Sequence, residues 1–354
     1  MLVLMLLACS PDEAAGDWDW GLPDDVPLPV VPADNPMSAE KVALGRHLFY
    51  DTRLSENETQ SCGTCHLQEL AWTDGLAQAE GSTGEIHPRG AMGLLNVAYA
   101  TTLTWANPAV RLLEDQALAP MFGEFPVELG MAGKEDLLLE RLSQAELYPP
   151  LFAAAYPDEG DPVTLHNVVG ALSSFERALV SFDAPYDRML LDGEWDALSA
   201  SAKRGMDLFF SEELECFHCH GGFTFSDATS HEGTVFDAAP FHNNGLYDED
   251  GSGSYPEGNG GVYEITGDPA DMGRFKAPTL RNIALTAPYM HDGSLETLEA
   301  VIEHYASGGV GSPLQSAFVS GFSLSGSEVG DLVAFLESLT DESLLGDDRF
   351  SDPF

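Results

Sequence analysis

Cys62-Gly-Thr-Cys65-His66 and Cys216-Phe-His-Cys219-His220 are the residues of this 354-residue chain best suited to do chemistry. In Cys-x-x-Cys-His, two thiols three positions apart can each form a thioether with a haem vinyl group. The adjacent imidazole is then held against the iron as an axial ligand. Two copies predict two covalently attached haem c groups, one on Cys62, Cys65 and His66 and the other on Cys216, Cys219 and His220. The same residue types could also build a four-sulfur zinc site or a thioredoxin-like redox pair. Zinc modules space their pairs by about 15 to 20 residues, whereas these pairs lie in opposite halves of the chain and each is followed by His.

The elements that must position these motifs also occur twice. Ser38 opens a stretch carrying Gly45-x-x-Leu48-Phe49, and Ser199 opens one carrying Gly205-x-x-Leu208-Phe209. Each reads as a short helix with a Ser N-cap. The expected fold is therefore mainly α: two cytochrome c-like haem domains related by an internal repeat, their haems facing a shared interface. The domains are placed at residues 37–185 and 186–345, with a seam near Asp183-Ala-Pro-Tyr-Asp187 after an apolar periodic stretch, Leu165 to Phe182, that reads as a buried helix. The amphipathic segment from Ser327 to Leu339 suits packing over the second haem. The Gly-, Asp- and Asn-rich stretch from His242 to Asp271 reads as a long functional or mobile loop.

Composition narrows the class of partner. The chain has 44% hydrophobic residues, enough for two cores, and 15 basic against 58 acidic residues give a net charge of −43. That balance disfavours nucleic acid and anionic lipid surfaces and steers basic protein partners. The fifth cysteine, Cys9, ends a short apolar run from Met1, so residues 1–9 read as a lipoprotein-type export signal lipidated at Cys9. Export to the periplasm or cell envelope follows, with membrane contact only through the lipid anchor. Residues 10–36, rich in Pro and Asp from Asp17 on, read as a flexible linker.

The motifs Trp105-Ala-Asn-Pro108, Leu113-Glu-Asp-Gln116-Ala-Leu-Ala-Pro120, Pro126-Val-Glu128-Leu-Gly130 and Phe275-Lys-Ala-Pro-Thr-Leu-Arg-Asn282, the last running on through Pro288-Tyr-Met-His291-Asp-Gly293, occur in that order. The set resembles the bacterial di-haem cytochrome c peroxidase and MauG family from about residue 36 to 340, and looks closer to its MbnH-like branch. The resemblance implies a peroxidatic N-terminal haem with Gln116 and Glu128 on its distal side and Trp105 as an electron relay between the haems. Glu124 is the alternate carboxylate, because the gap between the Gln and Glu motifs is two residues longer than in the family.

Three departures from the conventional peroxidases carry information. Where those enzymes have a Met ligand to the second haem this chain has Tyr305, as MauG does, and a tyrosinate favours oxidised iron. His304, Met290 and Met272 are the other candidates for that position. Ser82 stands where a His would block the peroxidatic iron, and His87 lies five residues later, directly before Pro88-Arg89. Position 90 is Gly, so the inter-haem calcium of the family loses a side-chain ligand and keeps only the Thr286 and Pro288 carbonyls with water. Leu214 replaces the Trp from which MauG draws electrons, so the methylamine dehydrogenase maturation role does not transfer.

The resemblance implies a peroxidase that reduces hydrogen peroxide at the His66 haem. Its electrons come through the second haem from a small cytochrome or from an oxidisable Trp on a partner protein. A non-enzymatic di-haem electron carrier, with both irons saturated and His87 as a ligand, is the other reading.

Overall fold

The computed structural model describes residues 18–354. Cys9 and its signal lie outside the described residues. The longer helices are α1 (Ala39–Tyr50), α2 (Glu135–Gln144), α3 (Tyr148–Ala155), α4 (Leu165–Arg177), α5 (Pro185–Leu191), α6 (Ala200–Phe209), α7 (Leu298–Ala306) and α8 (Gly326–Glu337). Among the described residues there is no strand beyond isolated bridges, and no helix is long and apolar enough to cross a membrane.

The sequence repeat becomes two helix crossings. Ser38 and Ser199 each cap a helix, their hydroxyls accepting from the Lys41 and Ala202 amides. Gly45 of α1 lies against the Ala171 carbonyl of α4, and Gly205 of α6 against the Asp331 carbonyl of α8. A β-carbon at either glycine would overlap that backbone oxygen, so each Gly sets how closely its two helices approach. Leu44, Leu48 and Phe49 are fully buried, and burial contributes about 1.5–3 kcal/mol per side chain. Helix α1 is thus held by packing against α4 rather than by intrinsic propensity. Phe209, Leu332, Phe335 and Leu336 do the same for the second crossing, with Leu298 and Ile302 of α7 added.

A further repeat lies between the crossings. Asn96 and Asn282 both adopt left-handed backbone, at φ 61° and 60°, and both open a 3-10 turn, Val97–Tyr99 and Ile283–Leu285. The Asn96 amide donates to Leu179 O at 2.8 Å and the Asn282 amide to Leu339 O at 3.0 Å, which ties each turn to the chain just beyond α4 and α8.

The halves are joined by buried polar contacts. Arg281, held within the second half by two hydrogen bonds of 2.8 Å to Asp187, lies over the Phe182 ring of the first. The Asn282 side chain reaches Ser181 Oγ at 3.0 Å, and Lys276 Nζ donates to Thr102 O at 2.8 Å.

Two expectations about the chain ends change. The stretch expected to be a flexible linker is packed from residue 18 on. Trp18, Trp20 and Val31 lie against the N-terminal core, Val26 is buried beside Tyr99 and Phe182, and Asn35 bonds Glu114 and the Gly170 carbonyl. Apolar side chains set among Pro and Asp supply the anchor that bulk composition hides. At the other end, residues 341–354 return to the first half: Leu344 and Phe350 join its core, and Tyr50 Oη donates to Phe350 O at 2.8 Å. The stretch 242–271 is also anchored, with Tyr255 buried at 6% exposure in a small apolar cluster.

Candidate active site

Each Cys-x-x-Cys-His forms one helical turn, Cys62–Cys65 and Cys216–His218. All four thiols are unpaired and half-buried, and among the described residues the two pairs do not meet in a four-sulfur cluster. The His66 ring places Nδ1 2.8 Å from Trp72 O, and His220 Nδ1 lies 3.1 Å from Phe225 O. Those carbonyls fix the tautomer: Nδ1 carries the proton and Nε2 keeps its lone pair. Burial also lowers both pKa values, keeping the rings neutral. Two thiols and a neutral imidazole with a free Nε2 are the donor set that haem c requires, and the half-buried side chains leave surface open to receive it.

Glu128 faces the first motif closely enough for its charge to act on Cys62 and Cys65. Its segment is pinned by the Ser82 amide and hydroxyl, which donate to Glu128 O at 2.8 and 2.6 Å. The side chain keeps 44% of its surface open, yet burial pushes its pKa up to about 7. Surrounding protein atoms disfavour the charged form although part of the side chain meets solvent. His87, 12% exposed, brings Nδ1 to 3.9 Å from Glu128 Oε1, and its Nε2 is buried without a partner. Gln116 ends the short helical turn Leu113–Gln116 and is half-buried, while Glu124 is exposed.

Trp105 lies where the two halves meet. Its indole Nε1 donates to Gly90 O at 3.0 Å, and its carbonyl accepts from the Lys276 amide at 2.9 Å. The Gly90 amide in turn donates to His291 O at 3.0 Å. A β-carbon at position 90 would meet the Leu76 and Ala77 carbonyls at 3.3 and 3.2 Å, so the backbone here closes on Gly. Thr286 and Pro288 are half-buried, and the Thr286 hydroxyl donates to Ile283 O at 3.2 Å. No clustered carboxylates accompany them among the described residues.

Tyr305 comes from α7 and faces the second motif. Burial pushes its pKa up to about 12, and Cys219 and Cys216 are close enough to add to the rise. The alternatives are engaged elsewhere: His304 Nε2 lies 3.0 Å from Asn244 O, and Met290 Sδ accepts from Asn244 Nδ2 at 3.3 Å. Met272 packs in the small apolar cluster of Tyr255, and Leu214 is buried in the second core.

One pair was not legible in the sequence. His242 Nε2 lies 2.6 Å from Asp227 Oδ2, and that carboxylate, with Cys219, raises the His242 pKa to about 10. The pair is held beside the second motif because the Asp227 amide donates to Cys219 O at 2.9 Å. Fifteen residues separate the partners, so no local motif announces them.

A family model described as "Di-haem cytochrome c peroxidase" matches residues 39–195. The methylamine utilization protein MauG of Methylorubrum extorquens is 39% identical over 335 residues, covering 95% of this chain and 87% of that protein. The cytochrome-c peroxidase IdrP1 of a Pseudomonas species is 35% identical, covering 92% and 88%. Among solved structures, a MauG-like protein associated with microbial copper homeostasis superposes with a TM-score of 0.93 at 48% identity, covering 95% of this chain and 99% of that one. The di-haem peroxidase BthA of Burkholderia thailandensis shares the fold, with a TM-score of 0.68 at 21% identity.

Proposed function

The chain belongs to the di-haem cytochrome c peroxidase and MauG family, a family of peroxidase-type oxidoreductases carrying two haem c groups, and we propose that it uses hydrogen peroxide to oxidise a partner protein. Cys62, Cys65 and His66 hold the haem at which peroxide reacts, and Cys216, Cys219, His220 and Tyr305 hold the second. Bound there, the haem irons supply the redox chemistry that cleaves the O–O bond and stores the oxidising equivalents.

The protein's own part is proton movement and positioning. Glu128, with a pKa near neutrality, takes the proton from the proximal oxygen of hydrogen peroxide and returns it to the departing oxygen. Gln116 orients the peroxide by hydrogen bonding. Ser82 commits its hydroxyl to the Glu128 carbonyl, so this loop position offers no ligand that would block peroxide. Trp105, wedged between Gly90 and Lys276, lies on the path between the two halves.

The observation that carries this reading is Glu128 beside the first motif and 3.9 Å from His87, with Ser82 pinning the segment. Tyr305 beside the second motif supports the protein-oxidising subtype, because a phenolate ligand favours oxidised iron over reduced. Similarity to MauG at 39% identity and to the copper-associated MauG-like structure at 48% supports the same subtype. The chain acts in the periplasm or cell envelope, tethered through Cys9, and its net charge of −43 steers a basic partner.

The test is incubation of the holoprotein with peroxide and extract of its source cells, followed by mass spectrometry for proteins gaining oxygen on Trp. Oxidation of a defined Trp only when protein and peroxide are both present supports the subtype. Turnover that consumes a small reduced cytochrome, with no protein modified, would replace it by a detoxifying peroxidase.

A further inference from the structure

We propose that Tyr247, with Asp292 as its proton acceptor, is the surface residue through which electrons enter this protein during peroxide turnover. The inference rests on the peroxidase reading above and adds the route by which a donor is oxidised. An apolar cluster of Ala106, Leu246, Tyr255, Val262 and Phe275 is flanked by both Trp105 and Tyr247. Tyr255 lies inside it, and its hydroxyl donates to Asn243 Oδ1 at 2.9 Å. Its ring packs against Phe275, with 6.2 Å between centroids. The Tyr255 ring then meets Tyr247 edge-on, with 5.5 Å between centroids. One set of packed aromatic side chains therefore runs from Trp105, where the halves meet, through Phe275 and Tyr255 to Tyr247, which is half-exposed.

The hydrogen bonds decide where an oxidation comes to rest. A phenol that gives up an electron becomes a strong acid and must give up its proton at the same time. Tyr255 faces an amide oxygen, which cannot hold that proton. Tyr247 donates to Asp292 Oδ2 at 2.7 Å, and a carboxylate can. Tyr255 is thus a conduit and Tyr247 the terminus. In each passage the Tyr247 O–H bond breaks, one electron moves inward through Tyr255 and the proton moves to Asp292. The donor outside then returns one electron to Tyr247, and Asp292 returns the proton. Two passages supply the two electrons that, with two protons from solvent, reduce one hydrogen peroxide to two waters.

The experiment is freeze-quench electron paramagnetic resonance on the holoprotein after one equivalent of hydrogen peroxide without donor, with the Soret band followed in parallel. The expected result is an organic radical signal that narrows when the protein carries ring-deuterated tyrosine and that is lost in Tyr247→Phe. Asp292→Asn diminishes it, and Asp292→Glu, which keeps the carboxylate, restores it. The same tyrosyl signal in Tyr247→Phe, or a Soret response with no tyrosyl signal in the unaltered protein, overturns the inference and leaves the peroxidase reading standing. A Soret band that does not respond to peroxide at all overturns the peroxidase reading and this route with it.

Discussion

Replacing Glu128 by Gln keeps the size of the side chain and its capacity to hydrogen-bond, and removes only its ability to accept a proton. Burial pushes the carboxyl pKa up from 4.5 to about 7, because the surrounding protein disfavours the charged form. As a base it must be ionised, so the rate of peroxide cleavage rises with pH and levels off above the pKa. Two units below it about 1% of molecules carry the base, so the rate at about pH 5 should be roughly 100-fold below the plateau. His87, the titratable neighbour at 3.9 Å, has its pKa lowered by burial, so it is neutral through the upper part of this range. In Glu128→Gln the rise with pH should vanish and the plateau fall by about 10²–10⁴, or about 3–5 kcal/mol of barrier. Stopped-flow mixing of oxidised holoprotein with peroxide at fixed ionic strength across this pH range measures both. A variant within tenfold of the parent that keeps the same rise near neutrality would refute the assignment of Glu128 as the base.

Tyr305→Phe should abolish the phenolate-to-iron charge-transfer band of the ferric holoprotein and raise the potential of the second haem; an unchanged resonance Raman spectrum would assign the ligand elsewhere, His304 first. Gly205→Ala drives a β-carbon into the Asp331 carbonyl, which cannot rotate away. Overpacking of about 1–3 kcal/mol, less about 1 kcal/mol regained in helix propensity, predicts a net loss of up to about 2 kcal/mol in denaturant unfolding. Glu176 is 6% exposed and burial raises its pKa from 4.5 to about 8. A carboxyl raised on folding costs stability as pH climbs from its unfolded to its folded value. Its cost at pH 7 is about 3 kcal/mol, so Glu176→Gln should be more stable at pH 7 by that order. Its advantage should shrink toward pH 4.5, and a pH-independent difference between the two proteins would count against this.

Much of the site was legible because its signals are local. Cys-x-x-Cys-His, the Ser caps and the Gly at each crossing act within one turn of chain, and the structure shows what the caps and glycines do. Trp105, Glu128 and Tyr305 stand out only through longer motifs; the Trp105 indole bonds Gly90 O, and Glu128 and Tyr305 lie near the cysteines of the first and second Cys-x-x-Cys-His. The paired Asn turns were present in the sequence as Leu-x-Asn96-Val-Ala and Leu-x-Asn282-Ile-Ala, and were overlooked because the flanks differ. The His242–Asp227 and Tyr247–Asp292 contacts join segments 15 and 45 residues apart, so only the fold reveals them. The stretch before residue 37 reads as a linker because its Pro and Asp content hides Trp18, Trp20, Val26 and Val31, four side chains that dock it from residue 18 on.

The most direct test of the central claim is to mix fully oxidised holoprotein with one equivalent of hydrogen peroxide, with no reductant present, and follow the Soret and near-infrared bands. With Ser82 leaving the first haem site open and Tyr305 at the second, the account predicts a rapid spectral change and a long-lived oxidised product. A protein that stays unchanged until one haem has been reduced would contradict it.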